Sequence, residues 1–586
     1  MDDLPFEIKR MICASAMETS RKSLQELSLV NRTWYQAAVP LLYDRLQLDL
    51  TTTEKLQADV EQLLNHPLGK KYLQYLRRLD LVGQSGKQSL RIAAEHEAAE
   101  GPIMLDDFID RELWRRHFFR LCHRDTTTPD HAPLARYIAA VSNLREVNFV
   151  RALRFPQEVL DVLHTYHPSC KLNLHYFYLQ AWKHQGLSDR DMTVVTSPCL
   201  HSIRCYYYRN AGNDEVIESA ILRSLSLAPN LKKVDLVLVP EVRFVDQRTY
   251  AFELTDGGST AVARLQTLSF SLNTVMSVHR FNQWRQNTGI EHLRTWSIGC
   301  IAEPALARTI SAVAPLFQRL ERLSLNLQVT AKRSVEYWRS VEEMMVALPP
   351  LKGLWLVGNR NARFLSKVLS RHGSTLQSLG LDSRNIEVDI RPQGQIRPYY
   401  NAQEIVRFAN KCPVLRELHL TVHACRVQLP RADDPDEDED FSSIPEYIAR
   451  LDFASVREAR TFYINAAIDA PLAASIFNTI LSSQSTRRLS SLRLLPTCDL
   501  QPENRPMCLP YRIRSFSHFF HCFTVTRFTN SDPGVLNINK IPERNNWPKW
   551  ERSATSQNDP FYHLRIYVVN WTWPSGRITS FPLQDV

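Results

Sequence analysis

No stretch of the 586 residues approaches the roughly 18 uninterrupted apolar side chains that a membrane-spanning helix requires. The first ten residues, MDDLPFEIKR, open on acid and lack the apolar run of a secretory leader, so the expected location is the cytoplasm, the nucleus or both. The eleven cysteines contain no C-x-x-C pair and are scattered along the chain, which argues against a clustered zinc site and against the disulfide framework of a short secreted domain. Lysine and arginine outnumber aspartate and glutamate by 71 to 62, yet no run of them is interleaved with aromatic rings, so no nucleic-acid partner is expected. Nucleophile-elbow, phosphate-loop and His-Glu-x-x-His patterns are absent too, and the histidines stand isolated. The expectation is a chain without catalytic residues, metal ligands or a cofactor. Apolar residues nevertheless make up 44% of it, enough for an ordinary globular core.

Two patterns are present. The first fills residues 4 to 46. Pro5 stands at the start of a helical stretch in which Ile8, Met11, Ile12 and Ser15 recur on one face, and Asp2 or Asp3 is placed to cap it. Ser23, three residues ahead of Glu26, has capping-box spacing and introduces a second helix carrying Leu24, Leu27 and Val30. A third carries Trp34, Tyr35 and Ala38 and is predicted to stop near Pro40, because proline disfavours helical geometry in the residue before it. Three short amphipathic helices are too small to enclose a core and hold more apolar side chains than they can hide from water.

The segment resembles an F-box, the motif by which substrate receptors attach to the Skp-family adaptor of cullin-RING ubiquitin ligases. Leu4-Pro5-Phe6-Glu7-Ile8 is similar to the opening Leu-Pro-x-Glu-Ile, Ile12 to the next apolar anchor, and Leu27 to Trp34 to the Leu-x-x-Val-x-(Arg/Lys/Ser)-x-Trp stretch. Ala38-Val39-Pro40-Leu41-Leu42-Tyr43 looks like the ending found in fungal members. The resemblance covers residues 2 to 48 and implies an adaptor-binding surface at Leu4, Pro5, Ile8, Ile12, Leu27, Val30 and Trp34, with cullin joined through the adaptor.

The second pattern is Leu-x-x-Leu-x-Leu with apolar replacements. It appears at Leu76, Leu144, Leu200, Leu231, Leu265, Leu293, Leu320, Leu351, Leu376, Leu415 and Leu489, with a degraded copy from Val456 to Phe462. From Leu200 to Leu415 its first positions step by 31, 34, 28, 27, 31, 25 and 39 residues. The last two apolar residues, two apart, suit the inward face of a short strand; segments such as SVEYWRSVEEMMVALP between signatures have helical spacing. The predicted fold is α/β: a short N-terminal three-helix F-box followed by a leucine-rich-repeat solenoid, a curved parallel sheet with outer helices. A helical repeat of armadillo or HEAT type is the rival, disfavoured by the Leu-x-Leu pairs. Only Asn273 and Asn359 stand three places past the last signature position, where most leucine-rich repeats place Asn or Cys.

The expected domains are an F-box at 1–50, a connecting helix at 51–72, a degenerate solenoid at 73–499 and an aromatic C-terminal cap at 500–586. Residues 84–135 read as an insertion, and 431–440, RADDPDEDED, as a solvated acidic loop. The variable positions between the strand leucines should line a concave face that binds a substrate protein. Lys233, Asp235, Arg294, Arg322, Trp355, Glu417 and His419 are its candidates, and Trp355, facing opposite to Leu354 and Leu356, is the foremost anchor. The function expected is the substrate-recognition subunit of a Skp-cullin-F-box ubiquitin ligase, with a repeat scaffold acting outside ubiquitination as the alternative.

Overall fold

A computed structural model of the chain describes residues 4–19, 21–66, 69–83, 130–150, 155–177, 189–208, 221–222, 225–239, 262–271, 274–327, 335–358, 362–382, 402–422, 470–484, 488–496, 523–527 and 536–540. The degraded repeat copy, the acidic run and both Asn273 and Asn359 lie outside these residues, as do most of the inserted segment and most of the C-terminal tail. Two compact units result, Met1–Gly299 with Leu316–Leu320, and Cys300–Pro315 with Glu321–Val586.

The first unit begins with helices α1 (Phe6–Thr19), α2 (Arg21–Ser28) and α3 (Arg32–Leu42). Contrary to the expectation from their size, they gather a small core of their own around Cys13, Leu24, Trp34, Ala37, Ala38 and Leu42, against which Leu4, Ile12, Met17, Leu27 and Leu41 are half-buried. Two local expectations differ. Ser23 sits inside α2 rather than ahead of it, so it is no N-cap. Helix α3 continues through Pro40 to Leu42. In the last turn proline forfeits a single backbone bond, the Tyr43 N–H still reaches the Val39 carbonyl at 3.1 Å, and burial of Val39 and Leu42 offsets the loss.

Strand β1 (Arg45–Asp49) follows two residues after α3. Tyr43 in that joint stacks on Tyr72 with centroids 4.1 Å apart, and the Tyr35 and Tyr72 hydroxyls lie 2.6 Å apart. The Lys71 ammonium sits 5.9 Å from the centre of the Tyr35 ring. This tyrosine clasp ties α3 to helix α5 (Gly69–Leu73), which follows helix α4 (Thr53–Asn65).

Strands β2 (Arg78–Val82), β3 (Glu146–Val150), β4 (Lys171–Phe177), β5 (Leu200–Tyr208), β6 (Lys233–Val239) and β7 (Thr267–Phe270) then add in chain order and in parallel. Short β8 (Val275–Met276) stands aside, and β9 (Thr295–Ile301) pairs in parallel with β7. Helices α6 (Ala132–Ala140), α7 (Gln157–Tyr166), α8 (Asp189–Val195) and α9 (Val278–Asn287) lie between strands in sequence, with α4, α6 and α7 side by side. Every signature in this unit falls on a strand, and the order follows from connections long enough for parallel crossovers. Two strands carry no full signature, because Tyr43 and Ser169 stand where the leading leucine of β1 and β4 belongs. At Gly299, with φ of 82°, an added Cβ would lie 2.5 Å from the Thr274 carbonyl oxygen, so only glycine lets β9 pass so close to its neighbour.

The second unit repeats the plan with β10 (Arg322–Asn326), β11 (Gly353–Val357), β12 (Ser378–Asp382), β13 (Glu417–Val422) and β14 (Ser491–Pro496), all parallel. Leu323, Leu354, Leu379, Leu418 and Leu492 stand in one row across these strands, and Leu325, Leu356, Leu381, Leu420 and Leu494 in a second. All are buried, each contributing about 1.5–3 kcal/mol of apolar burial. Helices α10 (Pro304–Val313), α11 (Val335–Ala347), α12 (Ala362–His372), α13 (Ala402–Lys411) and α14 (Ala470–Ser483) lie side by side in order. In α11 the buried residues Tyr337, Ser340, Val341, Met344 and Met345 recur with helical period. Strands β15 (Phe523–Arg527) and β16 (Leu536–Lys540) turn antiparallel and extend this sheet past β14.

The fold is therefore α/β, with mostly parallel strands alternating with helices in leucine-rich-repeat fashion. No described helix is long and apolar enough to cross a membrane.

Candidate functional site

Three surfaces hold the residues singled out from the sequence. The first is the N-terminal helical unit. Asn31 caps α3 by accepting the Trp34 N–H at 3.0 Å and the Thr33 hydroxyl at 2.8 Å. Lys9 donates to the Thr33 hydroxyl at 3.1 Å, which draws the first turns of α1 toward the start of α3.

The seven expected adaptor contacts divide here. Trp34 is 1% exposed, at the centre of the helical core, and offers no face to a partner; its indole N–H has no acceptor among the described residues. Leu4, Ile12 and Leu27 line the margin of that core, and Pro5 is exposed. Ile8 and Val30 stand in water, Val30 at 60%. Phe6, Met11 and Leu29 join them, Leu29 at 83%. The sequence reading did not assign these three to the surface. Helical spacing did place Met11 beside Ile8, and that shared face splits, with Ile8 and Met11 turned out and Ile12 turned toward Cys13.

The second surface is the strand face opposite the leucine rows. In the first unit it holds a polar ladder. Asp80, fully buried, accepts from Arg45, from Arg78 at 3.4 Å and from Asn148 at 2.7 Å. Asn173 donates to Asn148 at 2.8 Å and to Glu146 at 3.0 Å, and Ser202 donates to Asn173 at 2.8 Å. Lys233 and Asp235, both named from sequence, form an ion pair at 3.5 Å, joined by Arg204 on the next strand at 3.5 Å. Most of these groups satisfy one another, as buried polar groups tend to; Asp235 Oδ1 is left without a partner among the described residues.

The same face of the second unit holds Trp355, Gly380 and His419 in register across β11, β12 and β13. A Cβ on Gly380 would fall 2.2 Å from the Trp355 ring, so the missing side chain is the space the indole occupies. The His419 ring meets it edge-on at 4.6 Å. Trp355 thus faces as alternation demands, yet only 4% of it is exposed, and its N–H has no acceptor among the described residues. Glu417 shares this face one position away on β13, and the Arg322 stem lies against Gly353. Lys233 and Asp235 belong to the first unit and Arg322, Trp355, Glu417 and His419 to the second.

Arg294 marks the third surface. It is exposed, one residue ahead of β9, on the edge where strands begin rather than within a strand.

Burial pushes Cys170 and Cys412 up to about 12 and Cys205 higher, so they remain protonated at neutral pH. No group of three or more metal-binding side chains occurs among the described residues.

Comparison with protein-family models finds no match, and comparison with curated proteins finds none either. Among solved structures, the leucine-rich repeat-containing protein LegL7 from Legionella pneumophila matches with a TM-score of 0.31 and 11% identity, over 62% of this chain and 86% of that one. A likeness of that size carries no argument about fold or function.

Proposed function

We propose that this chain is the substrate-recognition subunit of a Skp-cullin-F-box ubiquitin ligase. Its N-terminal helices dock on a Skp-family adaptor, cullin joins through the adaptor, and the repeat region holds a target protein. The observation that carries this reading is the pairing of a closed helical core around Trp34 with Phe6, Ile8, Met11, Leu29 and Val30 left outside it. A unit with a finished core has no internal use for five large apolar side chains in water, whereas a partner that covered them would gain about 1.5–3 kcal/mol for each one fully buried, before the costs of association.

The chain brings no chemistry of its own in this reading. Holding the target beside a charged conjugating enzyme makes ubiquitin transfer effectively intramolecular, and the gain is local concentration.

Co-expression with a Skp-family adaptor and affinity capture tests the assignment. The wild-type chain is expected to retain the adaptor, and Ile8→Asp with Val30→Asp to lose it with the circular-dichroism melting curve unchanged. Both residues are exposed, so the pair separates docking from folding in a way that Trp34→Ala cannot. No capture by the wild type, or undiminished capture by the variant, removes the assignment.

A further inference from the structure

The edge on which the strands of the first unit begin carries a row of cations, most of them without a side-chain partner among the described residues. Backbone bonds fix its order: the Arg145 N–H reaches the Arg77 carbonyl at 2.8 Å, Lys171 reaches Arg145 at 2.8 Å, Lys232 reaches His201 at 2.9 Å, Gln266 reaches Lys232 at 2.8 Å and Arg294 reaches Gln266 at 2.8 Å. Each step is one strand, so the row from Arg77 to Arg294 runs about 29 Å at ~4.8 Å per strand.

Arg145, Lys171, Arg264 and Arg294 are exposed and Lys232 half-buried, and among the described residues none has an ion-pair or hydrogen-bond partner for its side chain. Asp44 and Glu146 on the same edge pair with Arg77 at 3.7 Å and Arg78 at 3.8 Å, while Glu291 lies 3.7 Å from His292, a partner that carries charge only when protonated. His201, in the middle of the row, is held below the usual histidine range, first by burial and then by Lys171, Lys232 and Lys233. In the second unit the corresponding positions differ, because Glu321 and Lys352 pair at 3.0 Å and Gln377 and Ser490 are neutral.

We infer that this edge binds an acidic segment of a protein partner, a run of aspartate, glutamate or phosphorylated residues lying across the strand ends. Arg145, Lys171, Lys232 and Arg294 in the ladder, with Arg264 two residues ahead of Gln266, repel one another, and a polyanion relieves that repulsion while gaining charge-assisted hydrogen bonds. An extended peptide of about ten residues, at ~3.3 Å per residue, spans the row. Nucleic acid is the poorer fit, since the ladder positions Arg77, Arg145, Lys171, His201, Lys232, Gln266 and Arg294 interleave no tyrosine, tryptophan or phenylalanine for bases to stack on, and Tyr43, exposed at the end of the edge, already stacks on Tyr72. The inference rests on the proposed function only in taking the repeat region as the part that holds a protein.

Fluorescence anisotropy on the full chain tests it, with a labelled peptide of about ten alternating Glu and Ser residues, its Gln counterpart, and single-stranded RNA of equal charge. The acidic peptide is expected to bind, to weaken about tenfold between about 50 and about 300 mM salt, and to weaken about tenfold in Arg145→Glu with Lys232→Glu. Arg416→Glu, the same position in the second unit, is expected to change nothing. Should the double reversal fail to fold, Lys171→Gln with Arg294→Gln is expected to weaken binding about threefold. No binding by wild type, binding indifferent to these substitutions, or tighter binding of the RNA overturns the inference. Adaptor capture run on the same samples reads the proposed function separately, so loss of one leaves the other standing.

Discussion

Gly380→Ala puts the packing of the second unit to a direct test. Alanine in place of glycine ordinarily stabilises a strand by about 0.4–1 kcal/mol, because the unfolded chain has less freedom to lose. Here the new methyl group would sit 2.2 Å from two ring atoms of Trp355, more than an ångström inside normal contact. The indole is rigid and buried, and the His419 ring blocks its far side at 4.6 Å, so it cannot slide away cheaply. Overpacking of this kind costs about 1–3 kcal/mol, which exceeds the entropic gain. The expected net loss is about 1–2 kcal/mol, or roughly 2–8 °C in the melting temperature of a unit this size. Urea unfolding followed by far-ultraviolet circular dichroism measures it, in wild type, Gly380→Ala, Trp355→Leu and the double variant. The cost of Gly380→Ala should shrink by about 1 kcal/mol or more once Trp355 is leucine, because the two residues are coupled. If Gly380→Ala is as stable as wild type, the indole does not lie over Gly380 and the reasoning fails.

Asp80→Ala leaves Arg45, Arg78 and Asn148 without their shared acceptor. Both arginine side chains retain some exposure, at 37% and 23%, and can hydrate, so a loss of about 2–3 kcal/mol is expected in the same unfolding assay rather than the larger cost of a fully buried broken pair. His372 makes stability depend on pH. Its Nδ1 accepts the Leu351 N–H at 3.3 Å and its Nε2 lies 2.8 Å from the Met345 carbonyl, while burial holds the ring below the usual range. The native ring stays neutral where the unfolded one, near about 6.5, takes a proton, so the unfolded state binds more protons and stability falls as pH drops below that value. Urea midpoints at pH 7 and pH 5 should separate in the wild type and separate less in His372→Gln; equal separations would remove this role for His372.

Strand positions were legible because burial writes them into leucine spacing. Leu323, Leu354, Leu379, Leu418 and Leu492 are all middle residues of a signature, and all fall in one row. Strands β1 and β4 were not legible because tyrosine and serine occupy the leading positions that leucine holds elsewhere. Direction was easier to read than exposure. Alternation gives the facing of Trp355, but its burial depends on Gly380 and His419, which are 25 and 64 residues further along the chain and meet it only through register. Trp34 escaped for the same reason, since Cys13 and Leu24 that enclose it belong to other helices. The row of cations ahead of the strands was invisible as a motif, because its members lie tens of residues apart and only the parallel order assembles them.

The joint between α3 and β1 has a mechanical consequence. With two residues of backbone and a stacked, hydrogen-bonded set of tyrosines bracing it, the helical unit cannot swivel on the first strands. Whatever grips those helices takes up a set bearing relative to the strands beside them, so the chain transmits orientation as well as proximity.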